Sequence, residues 1–126
     1  MALRAVNYSV LGLPRTKDIN KVVLAGMGGS GIVCDVIYVV LYERSEIPVT
    51  VVKDFKTPRW VDSKTLVCGI SYSGNTLETL NVVLRSLDLG AEVCVISSGG
   101  RLVEIARSRG MSHVIVESDL QPRAAF

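Results

Sequence analysis

The sequence has little of several things, and each shortage removes a class of function. Charge of one sign is scarce: 14 Lys and Arg against 12 Asp and Glu leave a formal net charge of +2. That is too small to mark a nucleic-acid or membrane surface. Aromatic residues make up 6% and form no cluster with arginine, so no stacking platform for single-stranded nucleic acid is expected. No apolar run reaches the roughly 20 residues of a membrane span, and Asp35 interrupts the most apolar helical stretch, residues 32–42. The N-terminus has no charged stretch leading into a long apolar core, so no secretory signal is expected. Cysteine is limited to Cys34, Cys68 and Cys94. An odd number with no close pairs points to buried thiols in a reducing compartment, the cytoplasm.

What is present suits one domain. A length of 126 residues buries roughly two-thirds of the unfolded surface, enough for one core. The apolar fraction of 48% against 21% charged suits a parallel sheet covered on both faces, or an apolar surface that a partner covers. Short apolar runs alternate with helical stretches. Residues 21–27 read as a strand, with Val22, Val23, Leu24 and Ala25 in one block. Gly26-Met27-Gly28-Gly29-Ser30-Gly31 follows at once, then a helix over 32–42. Pro48 opens a β-branched strand, Val49–Val52. Residues 54–63, with Pro58 and the sole Trp60, read as a connection before a strand over 65–71. A helix over about 76–89 is stopped by Gly90. The strand Glu92–Ser97 leads into Ser98-Gly99-Gly100, a helix over 102–109 ends at Gly110, and Ser112–Val116 is the fifth strand. Alternation of this kind predicts βαβ units and a parallel sheet. Right-handed crossovers place helices on both faces. The expected fold is α/β, a three-layer αβα sandwich about a five-stranded parallel sheet, filling residues 1–126 as one domain.

Ligands in such sheets bind at the carboxyl ends of the strands, and two unusual loops fall there. The stronger is Ser71-Tyr72-Ser73-Gly74-Asn75-Thr76. A helix N-terminus offers unpaired N–H groups and the positive end of a dipole. Gly74 lets the backbone approach an anion, and Ser71, Ser73 and Thr76 can donate hydroxyl hydrogen bonds to phosphate oxygens. Such a site needs no lysine. A capped helix is the plainer reading: Asn75 with Glu78 has capping-box spacing. It leaves the crowding of three hydroxyls unexplained. The other loop matches Gly-x-Gly-x-x-Gly at Gly26, Gly28 and Gly31 and invites a dinucleotide reading. That reading wants an acid about 20 residues on; Asp54 lies further away and follows Lys53.

Ser71-Tyr72-Ser73-Gly74-Asn75-Thr76-Leu77-Glu78-Thr79 resembles the phosphate loop of sugar-isomerase (SIS) domains. Together with Gly26-Met27-Gly28-Gly29-Ser30-Gly31 and Gln121-Pro122-Arg123, it is similar to archaeal-type bifunctional phosphoglucose/phosphomannose isomerases. The resemblance runs over residues 21–123 and implies a flavodoxin-like SIS fold with a five-stranded parallel sheet. That family carries two subdomains, and this sequence resembles the first alone. The resemblance implies that Ser71, Ser73 and Thr76 hold the sugar phosphate, with Gly74 and Asn75 in the same substrate-binding loop. It implies further that Gly28, Gly29 and Ser30 contact the sugar and that Arg123 steadies an enediolate.

Aldose–ketose isomerisation moves a proton between C1 and C2 and needs a base. The family's glutamate, histidine and lysine for that work have no counterpart here. The lone His113 opens a strand, where a structural role at the strand edge is expected. Glu78 is explained by the helix cap. The expected function is therefore a sugar-phosphate-binding half of an isomerase used in glycolysis and gluconeogenesis, weakly active or inactive alone. It would be paired as a homodimer or with a second SIS subunit. Alternatives are a non-catalytic sugar-phosphate sensor and, behind it, a dinucleotide-binding domain. No metal, cofactor, nucleic acid or membrane is expected.

Overall fold

The computed structural model describes residues 8–11 and 18–116. The elements run β1 (Tyr8–Leu11), β2 (Lys21–Ala25), α1 (Gly28–Arg44), β3 (Val49–Val52), β4 (Thr65–Ile70), α2 (Leu77–Asp88), β5 (Glu92–Ser97), α3 (Gly100–Ser108) and β6 (Ser112–Val116). One sheet holds all six strands in the order β1-β6-β5-β4-β2-β3. The five strands read from sequence are parallel throughout. The sixth, β1, was not expected and pairs antiparallel with β6 at the edge.

Two apolar clusters, one per face, make the three layers. Alternate strand residues point to opposite faces. Val23, Val67, Val93 and Val95 meet Leu80, Val83, Leu102 and Ala106 of α2 and α3. Leu24 and Ile70 meet Cys34 of α1 on the other face. Each fully buried Val or Leu contributes about 1.5–3 kcal/mol relative to exposure, so the larger cluster dominates stability. Close approach of α2 to the sheet depends on Gly69, since a Cβ there would stand 2.6 Å from Cγ2 of Val83.

Helix α1 differs from the other two. It is apolar nearly all round, and its outer face leaves Ile32, Val36, Val39, Val40 and Tyr42 exposed. Among the described residues, no helix is long and apolar enough to cross a membrane.

The connection from β3 to β4 crosses the sheet without a helix, and its Val61 plugs the larger cluster. Beside it, Lys21 at the start of β2 pairs with Asp62 at 3.0 Å and lies 6.0 Å from the Trp60 ring centre. Trp60 thus sits by the amino-terminal ends of the parallel strands, opposite their carboxyl ends.

Candidate functional site

The order of the strands sets where ligand chemistry can occur. From β2 the chain moves outward to β3; from β4 it moves the other way, to β5 and β6. Strands β2 and β4 are neighbours, with Ala25 opposite Gly69. The crevice at such a reversal is where open α/β sheets take ligands. Residues 26–31 and 71–76 flank it.

In the first loop, α1 begins at Gly28, four residues earlier than the sequence pattern suggested. The helix opens with Gly28, Gly29 and Ser30 in its first turn, and Met27 at the N-cap has no side-chain bond to spend on them. A Cβ at Gly28 or Gly29 would meet nothing within 4 Å, so the space in front of them is open. Ser30 is buried. Lys53, just past β3, packs beside Gly31 and pairs with Asp35. Asp54, the candidate acid of the dinucleotide reading, instead accepts a bond from the Lys56 amide at 2.8 Å within its own turn.

The second loop is built by its own hydroxyls. Ser71 is buried; its Oγ lies 2.9 Å from Oγ1 of Thr76 and accepts from the Gly74 amide at 3.1 Å. Ser73 is exposed, and its Oγ accepts from the Asn75 amide at 3.1 Å, which leaves its own hydrogen to give. Gly74 has a φ of 76°, the left-handed region that glycine adopts without strain. Helix α2 starts at Leu77 with Thr76 as N-cap, and no side chain caps it. The capping box expected from Asn75 and Glu78 does not form. Oδ1 of Asn75 instead accepts from the Arg101 amide at 3.0 Å, at the start of α3. The first-turn donors of α2 therefore stay available to an anion. Glu78 lies in that first turn.

A third loop, after β5, was not assigned to the site from sequence. Ser98 donates its amide and its hydroxyl to the Tyr72 carbonyl oxygen at 2.9 and 2.6 Å. The Leu102 amide donates to the Gly74 carbonyl oxygen at 3.0 Å. Ser97, buried, donates to the Gly99 carbonyl oxygen at 2.8 Å. The signal was present as a Ser-Ser-Gly-Gly run at a strand carboxyl end, the same kind of place as the other two loops.

Gly28, Gly29, Ser30, Ser71, Ser73, Gly74, Asn75 and Thr76 thus gather at the carboxyl ends of two adjacent strands. Arg123 and the Gln121-Pro122-Arg123 motif lie outside the described residues. His113 is not at a strand edge: it is buried in β6, between β1 and β5, with Nδ1 2.9 Å from the Met111 carbonyl oxygen. A cleft of about 360 Å³ lined by Tyr38, Leu41, Tyr42 and Pro48 opens by the start of β3 and shares no residue with these loops.

The sheet, parallel apart from edge strand β1, thus carries hydroxyl- and glycine-rich helix starts on both sides of its reversal point. The SIS domain family matches residues 17–115. The chain belongs to that family. It is 44% identical over 112 residues to a bifunctional phosphoglucose/phosphomannose isomerase of Caldicellulosiruptor bescii, covering 89% of this chain and 33% of the relative. It is 40% identical over 117 residues to a D-glucosamine-6-phosphate 4-epimerase of Sulfolobus acidocaldarius, covering 90% of this chain and 36% of the relative. The chain thus spans about a third of the length of the curated relatives it matches. In fold it is similar to tagatose-6-phosphate ketose/aldose isomerase from Escherichia coli, with a TM-score of 0.69 at 17% identity over 83% of this chain and 31% of that one.

Proposed function

We propose that the chain binds a hexose 6-phosphate, with the phosphate on the 71–76 loop and the sugar towards Gly28, Gly29 and Ser30. The observation that supports this most is the pair of uncapped helix starts facing one crevice, one of them ringed by Ser71, Ser73 and Thr76. Hydroxyls and amides there can hold a dianion without a lysine. The curated relatives named above act on phosphorylated sugars by their names, which fits this ligand class.

The chemistry proposed for the whole protein is aldose–ketose isomerisation of glucose or mannose 6-phosphate and fructose 6-phosphate. This chain supplies the first of two subdomains. The loops offer hydroxyls and amides, which bind and orient but do not take a carbon-bound proton. Glu78 is the acidic side chain beside the phosphate loop, placed where a helix start favours a carboxylate. The chain alone is therefore expected to bind and to turn over poorly or not at all. A second SIS subunit, or a second copy of this chain, would cover the exposed apolar face of α1. Three free cysteines favour a reducing, cytoplasmic setting.

Calorimetric titration with fructose 6-phosphate and with fructose tests the binding. Heat with the phosphorylated sugar alone supports it, and equal heats from both sugars refute a phosphate loop. Rapid conversion of fructose 6-phosphate by the isolated chain would refute the assignment as a binding half.

A further inference from the structure

The sequence spacing of 26 residues hides a pair of cysteines that the sheet brings together. Cys68 of β4 and Cys94 of β5 are direct partners in the parallel register. Alternation puts Cys68 on the face of Ile70 and Cys94 on that of Ile96, the side covered by α1. Helix α1 lies mainly over β3 and β2, with fewer contacts to β4. Both residues are accordingly less enclosed than Cys34 on α1, which is buried. Interaction with the Cys68 thiol holds Cys94 below the ordinary thiol value; interaction with Cys94, and then burial, push Cys68 well above it. Burial first, and then Asp35, push the Cys34 thiol up to about 11. The three thiols are thus unequal, and Cys94 has the greatest thiolate character.

We propose that Cys94 and Cys68 form a dithiol site for hydroperoxides, with Cys94 attacking and Cys68 resolving. The Cys94 thiolate attacks one peroxide oxygen, the O–O bond breaks, and the departing hydroxide takes a proton to leave as water. Cys94 is then a sulfenic acid. The Cys68 sulfur, giving up its proton, attacks the Cys94 sulfur; the S–O bond breaks and the second oxygen leaves as water. Two thiols lose two electrons, and one hydrogen peroxide becomes two waters. Neighbouring strands lie about 4.8 Å apart, inside the roughly 4.4–6.8 Å of Cα separation that a disulfide spans. The Cβ separation of about 3.8 Å that a disulfide prefers is shorter than that strand spacing, so closure draws β4 and β5 together. A bond under such tension belongs to the easily reduced, regulatory kind, in keeping with a reducing compartment. Each cysteine stands three residues before a serine of the site, Cys68 before Ser71 and Cys94 before Ser97. Closure therefore pulls on the two loops that lock together through Tyr72 and Ser98. This last consequence rests on the sugar-phosphate reading; the disulfide itself does not.

The test treats the reduced full chain with hydrogen peroxide, blocks free thiols with iodoacetamide, and maps the digest by mass spectrometry. The expected result is a Cys68–Cys94 cross-link, two hydrogens lighter than the separate peptides and released by dithiothreitol, with Cys34 unlinked. In Cys68→Ser, dimedone should label Cys94 in place of the cross-link. Both thiols free in the treated folded chain, or Cys94 carried to sulfinic acid beside a free Cys68, would overturn the proposal. Fructose 6-phosphate is then titrated into reduced and cross-linked chain. Weaker binding after cross-linking supports the coupling, and equal affinity overturns it. No binding by the reduced chain counts against the sugar-phosphate reading, and the cross-link map still decides the dithiol.

Discussion

The hydroxyl of Ser98 donates to the carbonyl oxygen of Tyr72 at 2.6 Å, alongside the Ser98 amide on the same oxygen. A residue after β5 thereby fixes the backbone of the loop after β4. With the Arg101 amide on Asn75 and the Leu102 amide on the Gly74 carbonyl oxygen, the 71–76 loop is held from outside as well as by its own hydroxyls. Ser98→Ala removes one bond of this set and should lower stability by about 0.5–1.5 kcal/mol. Urea unfolding would read that loss, and fructose 6-phosphate should bind more weakly although Ser98 is not assigned a ligand contact.

Gly74→Ala should do far more. The φ of 76° disfavours any side chain, and a Cβ there would overlap the Gly99 carbonyl oxygen and stand 2.7 Å from Oγ of Ser97. A loss of about 2–4 kcal/mol is expected from strain and overlap together, read as a lower urea midpoint.

Acid sensitivity has an identifiable contributor away from the site. A hydrogen bond from Lys21, and then one from the Lys64 amide, hold the Asp62 carboxyl below its ordinary 3.8. A depressed carboxylate stabilises the fold above its unfolded pKa, and that contribution fades as pH falls through the lower folded value. Asp62→Asn should therefore change the thermal midpoint near neutrality and leave it nearly unchanged at a pH below both values. Midpoints measured across that range check the sign.

The outer face of α1 tests the partner. Val36 and Val39 are 58% and 66% exposed, so charge there does not enter the core. Val36→Lys with Val39→Glu should convert a dimer to a monomer by light scattering, with unfolding little changed. A wild type that is already monomeric at micromolar concentration would contradict pairing with a second copy.

Much of this was legible in the sequence for physical reasons. The strands Val49–Val52, Glu92–Ser97 and Ser112–Val116 fall where the β-branched runs put them, because buried parallel strands are written as continuous apolar blocks. The 71–76 loop stood out because three hydroxyls exceed what a helix cap requires. Other features were not legible. Gly28 and Gly29 are poor helix formers by propensity, yet they open α1, where the first-turn amides need no helical partner. Asn75 matched a cap by spacing, but α3 offered its side chain the Arg101 amide, a partner 26 positions away. The pairing of Cys68 with Cys94 depends on strand register and has no local signature. Strand β1 is four residues long and joins the sheet only through β6.

The most direct test compares wild type and Ser73→Ala in calorimetric titrations with fructose 6-phosphate and an arabinonate 5-phosphate mimic of the enediolate. Ser73 is exposed and keeps its hydroxyl hydrogen to give, whereas Ser71 is buried in bonds that build the loop. Loss of one hydrogen bond to a charged phosphate, about 1.5–3 kcal/mol, should weaken binding by roughly ten- to a hundredfold with the fold intact. Unchanged affinity in Ser73→Ala, or no binding by the folded wild type, would contradict the account.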